Sequence, residues 1–399
     1  MRHLRPNSTA MTVVLSLLTS LGPLSTDLYL PSLPAITVAL GSTVSQTQLT
    51  LSAFLAGFAV GQIFYGSLSD AYGRKPVLAG GLVLFCVASL GCALAPNIGT
   101  LIAFRFLQAF GGSGPVVLAR AMVRDLYEGP AAAQQLARMG MIMGVVPAVA
   151  PVAGGVLEAL VGWRANFVAT LAFGLVMLAI ALGRLPETIR QRTGEVVSPA
   201  TVIRGFAHLF RHPAYRTYVG IVTLTYSGLF AWISGSSFIL QGVYGLSEIA
   251  FALSFTLVVG GFVGGSMLTQ RLVRAIGAER TIGFGMICLA GGGGLMLLFQ
   301  LVGIASPFGL LLPMACYTCG VGMTLPSSTA LAMAPFPDRA GAASSFLGLC
   351  QMTGAAIVGA VVGRVLGGSA LPIAITVATT GGLALLLFWS TASRRRHLV

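Results

Sequence analysis

Three stretches of this chain, 78–101, 281–335 and 341–363, carry no charged side chain, and that pattern limits the possible folds more than any other feature. Each is as long as, or longer than, the ~20 residues a helix needs to cross the hydrocarbon core of a bilayer. Backbone amides in lipid must pair with one another, so only helices or closed barrels persist there, and continuous apolar runs lack the alternation of a barrel wall. Charged residues make up 8% of the 399, against about 25% in soluble domains. The expected fold is therefore an all-α membrane protein.

Polar or Pro/Gly-rich breaks divide the sequence into twelve spans, near 10–37, 46–70, 75–96, 98–123, 131–159, 163–184, 214–241, 247–270, 281–303, 305–334, 340–364 and 369–392. The long polar stretch 185–213 separates six spans from six, which gives an N-terminal bundle at 1–184, a linker at 185–213 and a C-terminal bundle at 214–399. With both termini placed in the cytoplasm, the inward segments collect 19 of the 23 Arg and Lys residues, as cytoplasmic loops should. Arg164 and Arg364 fall in outward loops, and Arg105 and Arg120 fall within a span. The net charge of +13 then reflects topology and contact with anionic headgroups, and no nucleic-acid partner is expected.

Arg2 and Arg5 ahead of the apolar run 13–18 resemble the start of a secretory leader. No small-x-small cleavage site followed by a soluble domain comes after them, so the segment reads as the first span. The six cysteines lie on spans, and Cys316 with Cys319 has C-x-x-C spacing. Neither a redox nor a zinc role has the additional ligands or polar access it would need, so packing is the plainer role and no metal is expected. The four histidines fall in the tails or the central linker.

The two halves echo each other. The segment GSLSDAYGRKPVL at 66–78 and the segment QRLVRAIGAERTIG at 270–283 align Gly73 with Gly277, an offset of 204 residues, and both fall between the second and third spans of their half. Such duplication is how many secondary transporters are built, with a binding site near the membrane midplane.

Ionisable groups at membrane depth are costly, so each needs a partner or a function. Most of the ten acids fall in or beside loops, and only Asp27 lies deep in a span. Pro23, Pro31 and Pro34 surround it, and prolines release backbone carbonyls and bend helices. Loss of water there favours the neutral carboxyl, which suits a group that takes and gives up a proton across a cellular gradient. Asp27 is thus the candidate proton carrier and a candidate substrate contact; the alternative is a cap or solvated group near the outer interface. Arg105 and Arg120 are its candidate partners in proton coupling. They lie about 22 Å apart along one helix at 1.5 Å per residue, and depth favours Arg105, whereas Arg120 could snorkel to the inner headgroups. The C-terminal spans lack charge in their middles but offer aromatic and amide groups. With Asp27 and Tyr29, residues Tyr226, Phe230 and Gln351 are candidate contacts for an uncharged or weakly charged amphipathic molecule.

The segment Gly66-Ser-Leu-Ser-Asp70-Ala-Tyr-Gly73-Arg74-Lys75 resembles the loop signature of the major facilitator superfamily, G-x-L-x-D-x-x-G-R-[RK]. Arg105-Phe-Leu-Gln108 with Gly111 is similar to its fourth-helix signature, with extra residues before the glycine. The stretch from Gly144 through Pro147 and Pro151 to Gly154 and Gly155 resembles the fifth-helix signature of drug:proton antiporters, although Ala150 stands where a glycine is common. Asp27-Leu-Tyr29-Leu-Pro31, Ala119-Arg120 with Arg124-Asp125, and Leu185-Pro-Glu187-Thr188 are similar to the bicyclomycin and chloramphenicol resistance group. The resemblance implies twelve helices in two bundles and proton-driven export of small molecules such as phenicols or bicyclomycin. The expected partners are a small amphipathic substrate, protons and membrane lipids, and the expected protein is a monomer in the bacterial inner membrane with no cofactor beyond the proton gradient. By the same resemblance Gly66, Asp70, Gly73, Arg74 and Asp125 form a conformational gate that locks the bundles through pairs with the fourth and eleventh helices, with Ala71 thinning the usual charge. An importer or facilitator on the same fold is the runner-up, disfavoured by the fifth-helix signature. An enzyme or sensor would need a metal cluster, a phosphate loop or a nucleophile elbow, and the sequence has none of these.

Overall fold

The computed structural model describes residues 4–6, 8–127, 129–189, 199–304, 306–336 and 340–392. Arg2, His3, Glu128, Arg190, Arg192, Glu195, Asp338, Arg339, 394–396 and His397 lie outside the described residues. The described chain is all-helical and contains twelve stretches long and apolar enough to span a membrane, so this is a multi-pass membrane protein.

The first span is broken. Helix α1 (Thr9–Asp27) gives way to a 3-10 turn (Leu30–Ser32) and a short α2 (Leu33–Ala39). Four more spanning helices follow in α3 (Val44–Tyr72), α4 (Arg74–Ala93), α5 (Ile98–Leu126) and α6 (Gly129–Val161), and α7 (Arg164–Arg184) ends the first half. Within the polar stretch after it, α8 (Pro199–Arg211) sets Phe206 and Leu209 inward and leaves His208 and Arg211 exposed; Phe206 stacks on Phe346 at 4.7 Å. The second half comprises α9 (Pro213–Ser237) continued by a π-helical segment (Phe238–Val243), then α10 (Glu248–Ile276), α11 (Ala278–Leu301), α12 (Phe308–Met333), α13 (Ala340–Val365) and α14 (Leu371–Ser390).

By packing, the chain forms two units. The first contains Met1–Gly41 and Ala53–Thr201, and the second contains Ser42–Ser52 and Val202–Val399. Lipid supplies no hydrophobic drive between helices, so small residues that let backbones approach carry much of the association. In the first unit, a Cβ on Gly57 of α3 would lie 2.2 Å from the Phe106 carbonyl of α5, and one on Gly111 of α5 would lie 2.6 Å from the Phe85 nitrogen of α4. The second unit repeats the device: Gly261 and Gly265 of α10 sit under the carbonyls of Ala315 and Cys319 of α12, at 2.2 and 2.0 Å from the would-be Cβ. Around these seams Leu15, Leu18, Phe85, Leu118, Met122 and Met177 fill the first unit's core. Large apolar side chains such as Val87, Leu175, Leu298 and Leu386 stay exposed. On a soluble protein they would form an interaction surface; here they are the wall that faces lipid.

Gly73 and Gly277 both have positive φ, 105° and 86°, with extended ψ. Each ends a 29-residue helix, α3 and α10, and starts the next one within a single residue. Only glycine adopts that backbone without strain, so the same turn is built twice, once in each half.

Candidate functional site

The break in the first span is built by its prolines. Pro23 lies inside α1, the Leu28 N–H still bonds the Leu24 carbonyl at 3.1 Å, and the α pattern then stops. Pro31 and Pro34 carry no N–H to continue it, and the chain tightens to a 3-10 turn. Asp27 is the last residue of α1 and is only 6% exposed. Among the described residues the ion pairs are Arg74 with Asp70 and Arg74 with Asp125; Asp27 has no basic partner at that distance.

Arg105 of α5 is fully buried, but it is not held by Asp27 as its depth suggested. Its Nη1 donates to the Ser25 carbonyl at 3.0 Å and to Gln108 Oε1 at 2.7 Å, and Gln108 Nε2 donates in turn to Ser89 Oγ at 2.8 Å. The guanidinium lies 4.2 Å from the Phe54 ring centroid, 4.4 Å from that of Tyr29 and 5.8 Å from that of Phe167. Aromatic faces are electron-rich and attract a desolvated cation, which explains how a fully buried guanidinium persists without a carboxylate. Its Nε and Nη2 have no hydrogen-bond partner among the described residues. The arginine is thus tied to the backbone of the broken helix two residues before Asp27, with donor capacity left over. Arg120, further along α5, is exposed and is not brought to this cluster.

The fifth-span residues meet the same break. Pro151, Gly154 and Gly155 are buried on α6 and Pro147 is half-buried. Gly154 lies directly on the first residue after Asp27, since a Cβ there would stand 1.7 Å from the Leu28 carbonyl oxygen. Asn166 of α7 completes the enclosure by donating to Ser32 Oγ at 2.7 Å, and the Tyr29 ring rests 5.5 Å from that of Phe167.

At the other end of the unit, Arg74 gathers the loop signature. It donates to Asp70 Oδ1 at 2.5 Å, to Ser69 Oγ at 2.6 Å and to Asp125 Oδ2 of α5 at 2.9 Å. Asp125 is therefore the fourth-span partner that the motif implied, while Gly66 contributes its carbonyl to Ser69 Oγ at 2.8 Å. Sequence reasoning missed the next layer. Gly73 has no side chain to cap α4, and Glu187, from the segment after α7, caps it instead by accepting from the N–H groups of Arg74 and Lys75 at 2.9 and 3.2 Å. Thr188 donates to Asp125 Oδ2 at 2.7 Å. The only signal for this pair was the quoted Leu185-Pro-Glu187-Thr188 segment, whose distance from the loop in sequence hid its purpose.

In the second unit Tyr226 on α9 and Gln351 on α13 are half-buried, whereas Phe230 is buried against α13, 2.7 Å from the Cβ position of Gly359. Tyr317 lies at its centre, its hydroxyl donating to the Thr225 carbonyl at 3.2 Å and 3.4 Å from Thr380 Oγ1.

Comparison with known proteins agrees with this architecture. The model of the Major Facilitator Superfamily matches residues 15–360. The chain is 28% identical to a bicyclomycin resistance protein homolog of Haemophilus influenzae over 96% of both chains. It is 32% identical to a chloramphenicol resistance protein of Pseudomonas aeruginosa, covering 82% of this chain and 75% of that one. Among solved structures, a D-xylose-proton symporter superposes with a TM-score of 0.75 at 16% identity, covering 96% of this chain and 98% of that one, which is a likeness of fold.

Proposed function

Because the chain belongs to the major facilitator superfamily, we propose that it is a proton-coupled exporter of small amphipathic compounds in the bacterial cytoplasmic membrane, with phenicol- or bicyclomycin-like antibiotics among its cargo. The cargo class rests on the resistance proteins that match nearly the whole chain or most of it. The observation that carries the coupling is Asp27, a carboxyl 6% exposed at the end of a broken helix. Protonation removes charge from that low-dielectric position, and deprotonation restores it, so the two states favour different surroundings for the break.

Arg105 has two donors to spare and already holds the Ser25 carbonyl. In this reading it receives the ionised Asp27 when the break rearranges, and it keeps the ring-lined pocket of Tyr29 and Phe54 in place when Asp27 is neutral. Arg120 stands further along the same helix and supplies exposed positive charge on the proton's way. Gly154 presses on the Leu28 carbonyl, so Pro147, Pro151 and Gly155 set how α6 follows any movement at the break. The side chains proposed to contact cargo are Asp27, Tyr29, Tyr226, Phe230 and Gln351. The Arg74 cluster with Asp70 and Asp125 acts as the gate. The proton gradient supplies the energy, so no cofactor is required, and the protein works as a monomer.

Expression in an efflux-deficient bacterium, scored against phenicols, bicyclomycin and cationic dyes, tests the cargo, and everted vesicles test direction. Raised resistance to at least one class with uptake into everted vesicles is the expected result. Sensitivity to every class together with flux in the importing direction would replace export with uptake.

A further inference from the structure

We propose that Gln48 is a polar latch that seats the first turns of α3 on α9 and α13, and that its release is a step of the transport cycle; it rests on the exporter reading for its place in that cycle. Residues 42–52 pack with the second unit, and the same helix leaves that unit at Ala53. Gln48 is fully buried, and its Nε2 donates to the Ser234 carbonyl of α9 at 2.8 Å. That carbonyl is available because the helix changes hand-off just beyond it. The Phe238 N–H bonds Gly235 rather than the residue four back, and the chain continues as a π segment.

Two glycines on α13 make the seat. A Cβ on Gly363 would lie 2.4 Å from Gln48 Oε1, and one on Gly359 would lie 3.1 Å from Ser52 Oγ. Gln48 and Ser52 are four apart on α3, as Gly359 and Gly363 are on α13, so each pair shares one helix face and the contact has two rungs. Gln48 Oε1 and Ser52 Oγ are nevertheless buried without a hydrogen-bond partner among the described residues. An unsatisfied buried acceptor costs at least as much as one hydrogen bond returns. The seat therefore combines close packing and one good hydrogen bond with two unpaid polar groups, the balance of a contact made to part. A permanent seam would place apolar atoms at both positions.

The test uses protein with its native cysteines replaced. Gln48→Cys with Gly363→Cys is expected to form a disulfide under mild oxidation, because the Gly363 Cβ position lies 3.1 Å from the Gln48 Cβ, close to the usual span of such bonds. Chloramphenicol or dye efflux by the oxidised proteoliposomes is expected to fall at least tenfold, on the order of what a blocked conformational step imposes, and to return on reduction. A second arm needs no drug and so reads the latch even where the exporter reading fails. Gln48→Glu sets a carboxylate against the Ser234 carbonyl, and Gly363→Val fills the amide's seat. Each is expected to raise the labelling rate of Ser52→Cys by a water-soluble maleimide about tenfold in detergent-purified protein, as the seated state loses population. Absence of the disulfide, full efflux by the cross-linked protein, or unchanged labelling in both variants overturns the proposal.

Discussion

The two halves each interrupt their first spanning helix, and they do so with different chemistry. In the first unit α1 stops at Asp27 and tightens to a 3-10 turn, with a buried arginine on the Ser25 carbonyl and Gly154 on the Leu28 carbonyl. In the second, α9 runs to Ser237 and loosens to a π segment (Phe238–Val243), and the residues buried along the end of α9, Phe230, Trp232 and Ser236 among them, are neutral. The 204-residue offset between Gly73 and Gly277 carries Asp27 onto Ala231, which is fully buried. By the same offset the end of α9 at Ser237 falls on Leu33, six residues beyond the end of α1 at Asp27, so both halves break their first helix but share neither the exact place of the break nor its charge. Among the described residues the buried charged side chains, Asp27, Arg74 and Arg105, all lie in the first unit, while the second buries aromatic rings, hydroxyls and an amide.

That asymmetry can be broken deliberately, and Ala231→Asp should do so most severely. Ala231 is fully buried in a unit that holds no buried charged side chain among the described residues, and burying an unpaired charge costs about 3 kcal/mol or more. We expect strongly reduced membrane levels and a lower thermal midpoint in detergent, while Asp27→Asn leaves both near wild type. Gly154→Ala comes next. Its Cβ would stand 1.7 Å from a backbone oxygen, so α6 must move away from the break, and efflux is expected to fall about tenfold or more, as misplacement by an ångström does in positioned sites. Gly359→Ala, at the matching helix of the second unit, meets a Phe230 ring edge at 2.7 Å. A side chain can turn where a backbone cannot, so the expected loss is about threefold or less. The smallest effect is at the loops. Glu187→Gln keeps one of the two acceptor oxygens that cap α4 and loses the charge, which at a helix N-terminus is worth about 0.3–1 kcal/mol. A fall of a few degrees at most in the thermal midpoint is expected, and Tyr218→Phe, which removes a 2.9 Å bond to Glu279 at the start of α11, should move it no further.

Much of this architecture was legible because lipid imposes a simple rule. Uncharged runs gave the span count, and the segment around Gly73 located a turn whose backbone only glycine tolerates. The repeat was clearer than the loop alignment suggested. Gly57-Phe58-Ala59-Val60-Gly61 and Gly261-Phe262-Val263-Gly264-Gly265 carry the same 204-residue offset, and both glycine pairs sit under carbonyls of a neighbouring helix. Asp27 could be singled out because acids are so scarce. Its surroundings could not. Opposite charges at similar depth suggested an ion pair, but rings and a carbonyl hold Arg105, and a sequence does not say which way a side chain points from its helix. The role of Glu187, quoted only as part of a motif, and the whole of Gln48 were hidden for another reason: their partners lie more than a hundred residues away along the chain.

The central claim is that one buried carboxyl couples drug movement to proton movement, and reconstituted protein in vesicles holding a pH-sensitive dye tests it directly. Adding chloramphenicol or another cargo identified by the resistance panel should drive proton flux through the wild type, and Asp27→Asn should bind the drug yet reduce that flux to background. Equal drug-driven flux in the two proteins would contradict the account.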